Sequence, residues 1–132
     1  GFEVHAATDV TGFALAGHTL EMAQGSDVTC LIDLGAVPIF DEALACYERG
    51  VTTGANAANR ELVSAHVRFD CALPSWHQEI VFDPQTSGGI LAAVPADQAD
   101  DLVSALNDAG IAAARQIGRV APPDHKLSLI FE

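Results

Sequence analysis

Positive charge is what this chain has least of. Lysine and arginine together number 6 against 18 aspartates and glutamates, a formal net charge of −12. A protein that grips a phosphate backbone needs a basic footprint, so no nucleic-acid partner is expected. An anionic surface also repels free nucleotides unless a divalent cation intervenes. Lys126 is the only lysine and no glycine-rich loop ends in one, which excludes a P-loop. Cysteine is scarce as well. Cys30, Cys46 and Cys71 are odd in number and form no CxxC pair, against both a zinc knuckle and a disulfide framework. Reduced thiols in the cytoplasm are expected. No apolar run reaches the ~18 residues of a membrane helix and no charged-then-apolar signal opens the chain, so no membrane partner is expected. The histidines at 5, 18, 66, 77 and 125 make no HExxH pattern, against a catalytic zinc. No GxSxG and no paired-carboxylate motif is present. Gly1 stands where an initiator Met would, as expected of a piece of a longer protein.

What is present suits one folded domain spanning residues 1–132. Hydrophobic residues make up 49% and charged residues 18%, a globular balance. Phe13, Ala16, Leu20 and Ala23 share one face of a helix that Gly25 is expected to stop. Val28, Cys30 and Ile32 predict a strand buried on both faces. Asp41 is expected to cap a helix over 42–49, ended by Gly50. Residues 51–59 read as a loop before a short helix near 60–66. Glu79 to Phe82 reads as a short strand, Asp83 to Gly89 as a turn, and Ile90 to Val94 as a strand. Pro95 opens a helix with Ala99, Leu102, Val103 and Leu106 as its buried stripe. Strands over 112–120 and 127–131, joined through Pro122-Pro123-Asp124, read as a hairpin-like pair. Uneven alternation of this kind predicts a mixed-sheet α/β or α+β layered domain.

The most informative stretch is Thr8-Asp9-Val10-Thr11-Gly12-Phe13, followed by Gly17-His18. Asp9 has two readings. It is a helix N-cap, or it is a metal ligand: a helix N-terminus favours anions, and a carboxylate beside it suits Mg²⁺ bridging to phosphate. Gly12 and Gly17 cost a helix stability and permit close approach of a strand or ligand. Thr86-Ser87-Gly88-Gly89 is either a strand-entry turn or a ligand-facing turn. Thr52 to Arg60 suits a loop lining a polar cleft, a solvated loop, or a cap for the next helix. His18 reads as structural, on the helix flank.

Together, the Thr8–Phe13 motif, Gly17-His18, Glu21-Met22 and Asp83-Pro84-Gln85-Thr86-Ser87-Gly88-Gly89 resemble the C-terminal domain of the selenophosphate synthetase (selenide, water dikinase) family. The resemblance runs from Phe2 to Phe131. It implies a layered α-β-α domain with a mixed sheet, like the C-terminal domain of aminoimidazole ribonucleotide synthetase. It implies an enzyme that converts ATP, selenide and water to selenophosphate, AMP and phosphate, and a homodimer whose N-terminal domains bind ATP. On that resemblance Asp9 is a Mg²⁺ ligand, and Thr8, Thr11 and Gly12 lie on the phosphate side. The reactive Cys or selenocysteine and its Lys are expected in the N-terminal domain, so no catalytic residue is expected in this chain. Another ATP-dependent member of the superfamily and a non-catalytic interaction domain are the alternatives. The chain departs from the family pattern at Ala14, usually Gly, a change expected to strengthen the helix. It departs again at 52–60, where Asn59-Arg60 resembles a reordered remnant of a loop that usually reads Gly-Gly-Thr before its Asn.

Overall fold

The computed structural model describes residues 1–124 and 126–132; His125, one of the histidines weighed as metal ligands, lies outside the described residues. Strand β1 (Ala6–Asp9) leads into helix α1 (Ala14–Gly25) and strand β2 (Thr29–Ile32). Helices α2 (Asp41–Glu48) and α3 (Asn56–Val63), strand β3 (Val67–Phe69) and helix α4 (Ser75–Glu79) follow. Strand β4 (Ile90–Ala93), helix α5 (Ala99–Asp108) and strands β5 (Gly118–Ala121) and β6 (Leu129–Phe131) complete the chain.

Among the described residues the strands form two sheets. One has four strands in the order β3-β6-β2-β5, and the other is an antiparallel pair of β1 and β4. In the larger sheet β6 runs parallel to both β2 and β3, while β5 runs antiparallel to β2. The sheet is therefore mixed, and with helix α1 packed on β2 and β6 it bears out the α/β class. The inner strands are apolar because both their faces are covered: all of β6 is buried, as are Thr29, Cys30 and Ile32 of β2. Burial pushes the Cys30 thiol up, as suits a core residue. Phe131 stacks on Phe69 at 4.9 Å between ring centres, and Phe69 meets the edge of Phe82 at 6.0 Å. Leu34, Phe82, Leu129 and Phe131 are fully buried, each contributing about 1.5–3 kcal/mol.

Several elements differ from the sequence reading. Among the described residues β5 and β6 do not pair; they flank β2 on opposite edges, β5 antiparallel and β6 parallel to it, so β2 stands where a hairpin partner would. Residues 80–82 form a 3-10 turn, all three buried; a short apolar run carries no period that separates strand from helix. Asp41 lies inside the first turn of α2 and makes no cap bond, but its charge suits the positive helix end. Helix α1 does end at Gly25, yet the left-handed residue beyond it is Asp27, with φ 51°. The stripe of α5 is only half-buried. Ala16, Leu20 and Ala23 face the core as expected, whereas Phe13 is 49% exposed because it precedes the helix.

Candidate functional site

The site is built where β1 leaves its sheet. Asp9, the last residue of β1, pairs with Ile90, the first of β4. The ladder continues one step, with the Val10 N–H donating to the Gly89 carbonyl at 2.9 Å. The Gln85 N–H then donates to the Thr11 carbonyl at 3.0 Å. Gly88 lies so close that a Cβ there would sit 2.0 Å from the Val10 carbonyl oxygen. Two stretches separated by more than seventy positions in sequence thus become one surface. Gly88 is required for that approach.

Asp9 is exposed, and among the described residues its carboxylate has no hydrogen-bond or ion-pair partner. The capping reading is overturned: α1 starts at Ala14 after Phe13, which makes no side-chain cap bond, and Asp9 belongs to the strand. The turn between them leaves backbone donors open. Among the described residues, the N–H groups of Thr11, Gly12 and Phe13 are taken by no acceptor, while the Ala14 N–H closes the turn onto the Thr11 carbonyl at 3.0 Å. Ala14 is buried and adopts φ 63°, the left-handed region. An L side chain is disfavoured there, so Ala14 does not strengthen the helix as its propensity predicts. Nothing lies within 4 Å of a Cβ built on Gly12, so that glycine faces open space. Gly17 does different work: a Cβ there would meet the Phe13 Cβ at 2.7 Å and Leu62 of α3 at 3.5 Å.

Behind the turn stands a scaffold of amides that sequence reasoning placed wrongly. Residues 56–63 are helical, and Asn56 and Asn59 are buried rather than lining an open cleft. Asn59 Nδ2 donates to the Gly12 carbonyl at 2.9 Å and to the Phe82 carbonyl at 3.0 Å. Asn56 Nδ2 donates to the Tyr47 hydroxyl at 3.0 Å, and Tyr47 donates to Asp83 Oδ1 at 2.8 Å. Gln85 Nε2 donates to Asp83 Oδ2 at 3.1 Å, so both carboxylate oxygens of Asp83 are engaged. Desolvation first, then the interaction with Asp83, pushes the Tyr47 phenol up to about 12 against the opposing Asn56 hydrogen bond. Arg60 does not cap a helix: it pairs with Glu79 and lies over the Phe82 ring at 4.7 Å. Tyr47 was not foreseen, since its partners lie 9 and 36 positions away, and Asp83 and Gln85 were read only as part of a turn.

The remaining expected residues fall into place around this frame. Thr8 is half-buried and its hydroxyl donates to the Asp9 carbonyl at 3.1 Å. Thr11 Oγ1 lies 3.0 Å from His18 Nε2, so His18 is tied to the motif, not merely set on the helix flank. Thr86 and Ser87 are exposed in the turn before Gly88. Among the described residues no three His, Cys, Asp or Glu side chains gather as a metal cage. One free carboxylate still fits Mg²⁺, which keeps its waters and commonly takes one or two carboxylates together with phosphate oxygens. A groove of about 270 Å³, lined by His5, Met22, Val28, Cys30 and Val120 among others, includes no residue of Thr8–Phe13 or Asp83–Gly89. The site is an open turn on the surface.

Comparison with known proteins shows the family. The chain is 44% identical over 118 residues to the selenide, water dikinase of Agathobacter rectalis, covering 89% of this chain and 34% of that protein. It is 42% identical over 130 residues to the selenide, water dikinase of Bdellovibrio bacteriovorus, covering 98% of this chain and 36% of that one. For the selenide, water dikinase of Burkholderia pseudomallei the identity is 42% over 117 residues, with shares of 89% and 33%. The chain spans about a third of the length of these relatives. The family model described as AIR synthase related protein, C-terminal domain, matches residues 1–129, and the chain belongs to that family.

Proposed function

We propose that this chain is the C-terminal domain of a selenide, water dikinase, working with an N-terminal domain that holds ATP and the reactive Cys or selenocysteine. The full protein would convert ATP, selenide and water to selenophosphate, AMP and phosphate. The observation that carries the reading is the junction of the two motifs: an Asp9 carboxylate and N–H groups at Thr11, Gly12 and Phe13 that have no partner among the described residues. Backbone donors at a helix start suit phosphate oxygens, and Asp9 suits the Mg²⁺ that must accompany a nucleotide approaching so acidic a protein. When bound, the cation would neutralise phosphate charge and orient the chain of phosphates. Asp9 would hold it on this side, with Thr8, Thr11 and Gly12 lining the phosphate-facing turn. Gly12 keeps the approach open, since nothing lies within 4 Å of a Cβ at that position. The open turn is completed in this reading by the N-terminal domain, in a homodimer in the cytoplasm. Among the described residues no helix is long and apolar enough to cross a membrane.

The test is Asp9→Asn in the full-length protein, with selenide-dependent AMP formation as the readout. Turnover is expected to fall about a hundredfold, the scale of losing one electrostatic group from a phosphoryl-transfer site, with the circular dichroism spectrum unchanged. Wild-type turnover in the variant, or AMP formation indifferent to selenide in the parent, would overturn the assignment.

A further inference from the structure

Thr11, His18 and Glu21 form a chain that leads from the motif turn to the surface. Thr11 Oγ1 lies 3.0 Å from His18 Nε2, and His18 Nδ1 lies 3.2 Å from Glu21 Oε2. The His18 side chain is 11% exposed, while that of Glu21, one helical turn on, is 60% exposed. The Phe13 ring leans on the imidazole at 5.6 Å between centres. Nothing in the proposed phosphate and metal contacts uses His18 or Glu21.

The polarity of this chain follows from its ends. A carboxylate only accepts hydrogen bonds, so the Nδ1 facing Glu21 carries the proton. A neutral imidazole with Nδ1–H has an acceptor at Nε2. The contact at Nε2 then needs a donor, and Thr11 supplies its single hydroxyl proton. What the Thr11 oxygen has left to offer is lone pairs. Phosphate oxygens are acceptors too and cannot pair with it, whereas a water polarised by a divalent cation is a strong donor.

We infer that His18 and Glu21 are positioning residues that fix the Thr11 hydroxyl as an acceptor for a cation-bound water, dividing the turn into two parts. The backbone N–H groups of Thr11, Gly12 and Phe13 face the anion. The Asp9 carboxylate and Thr11 Oγ1 face the cation and its hydration shell. This refinement rests on the reading of Asp9 as a Mg²⁺ ligand, and it reassigns Thr11 from the phosphate to the metal side.

The first test needs no substrate or metal. The full-length protein is labelled with ¹⁵N-histidine, and the His18 resonances are assigned by their loss in His18→Gln. At neutral pH, Nε2 is expected to show the pyridine-type shift and Nδ1 the pyrrole-type shift, with Glu21→Gln giving a mixture of tautomers. A pyridine-type Nδ1 or a doubly protonated ring would reverse the hydrogen bond at Thr11 and overturn the inference.

The second test titrates Mg²⁺ in ATP turnover. Thr11→Val is expected to raise the half-saturating Mg²⁺ concentration about tenfold, the worth of one hydrogen bond. The KM for ATP at saturating Mg²⁺ should stay within about twofold of wild type, since the proposed phosphate donors are untouched backbone N–H groups. Thr11→Ser, which keeps the hydroxyl, should recover most of the Mg²⁺ affinity that Thr11→Val loses. A raised ATP KM with an unchanged Mg²⁺ requirement, or no change in either, would overturn the inference. Failure of Asp9→Asn to lower turnover would remove the metal reading itself, whatever tautomer His18 shows.

Discussion

The side-chain amide of Asn59 holds the Gly12 carbonyl from behind at 2.9 Å, with its other proton on the Phe82 carbonyl at 3.0 Å. One side chain of α3 thereby ties the motif turn to the segment that precedes Asp83. Asn59 is only 5% exposed, so water cannot readily replace either bond. Asn59→Ala is expected to lower stability by ~2–3 kcal/mol, measured by urea unfolding. Asn59→Asp should cost at least as much, because a carboxylate has no proton for either carbonyl. A loss below ~0.5 kcal/mol in both variants would show that the turn keeps its shape without the amide.

Gly88 makes the complementary contact from the other motif. A Cβ at this position would stand 2.0 Å from the Val10 carbonyl oxygen, a backbone atom with little room to yield, and 2.9 Å from the Gln85 Cβ. Gly88→Ala is expected to cost about 3 kcal/mol, at the upper end for overpacking, and to weaken the β1–β4 pairing. Amide hydrogen exchange at Val10, which donates to Gly89 across that junction, would report it directly. Wild-type protection of the Val10 amide would mean that the two motifs need not touch.

Much of this was legible in the sequence where a short period meets a single partner. The α1 stripe of Ala16, Leu20 and Ala23 and the buried strand at Thr29–Ile32 are of this kind. Asp9 stood out because its neighbours are small and polar. The rest depends on contacts that a local pattern does not encode. Asn59 looked like loop chemistry because an amide has no hydrophobic period; its role comes from two carbonyls, one 47 and one 23 positions away. Residues 80–82 carried no period at all, and the pairing of β5 and β6 with β2 was hidden because adjacency in sequence suggested a hairpin. At Ala14 propensity pointed the wrong way, since the backbone there is not that of a right-handed helix.

That conformation gives Ala14 an unusual response to mutation. In an ordinary helix interior, Gly for Ala costs about 1 kcal/mol. At φ 63° the alanine methyl carries a left-handed penalty of roughly 1–2 kcal/mol, which glycine removes. Glycine also loosens the unfolded chain, at a cost of about 0.4–1 kcal/mol. Ala14→Gly is therefore expected to hold stability or raise it by up to ~1 kcal/mol in thermal and urea unfolding. A loss of ~1 kcal/mol or more would show the residue to be right-handed in solution.

Tyr47 gives the domain a defined response to alkali. It is the chain's single tyrosine and is 4% exposed, so its tyrosinate absorbance can be followed without overlap from another. Its phenol is pushed from the usual 10 up to about 12, chiefly by burial. The folded state therefore keeps a proton that the unfolded state has already released. The stability linked to that proton is fully present below pH 10 and is lost as pH rises toward 12. At 1.36 kcal/mol per unit, the loss over that window is on the order of 2–3 kcal/mol. Tyr47→Phe should flatten the decline between these limits. It should also lower stability near neutrality, because Asp83 loses a buried donor and Asn56 an acceptor. An absorbance midpoint near 10 in the folded domain, or the same alkaline slope in Tyr47→Phe, would mean that Asp83 is not held through a protonated Tyr47.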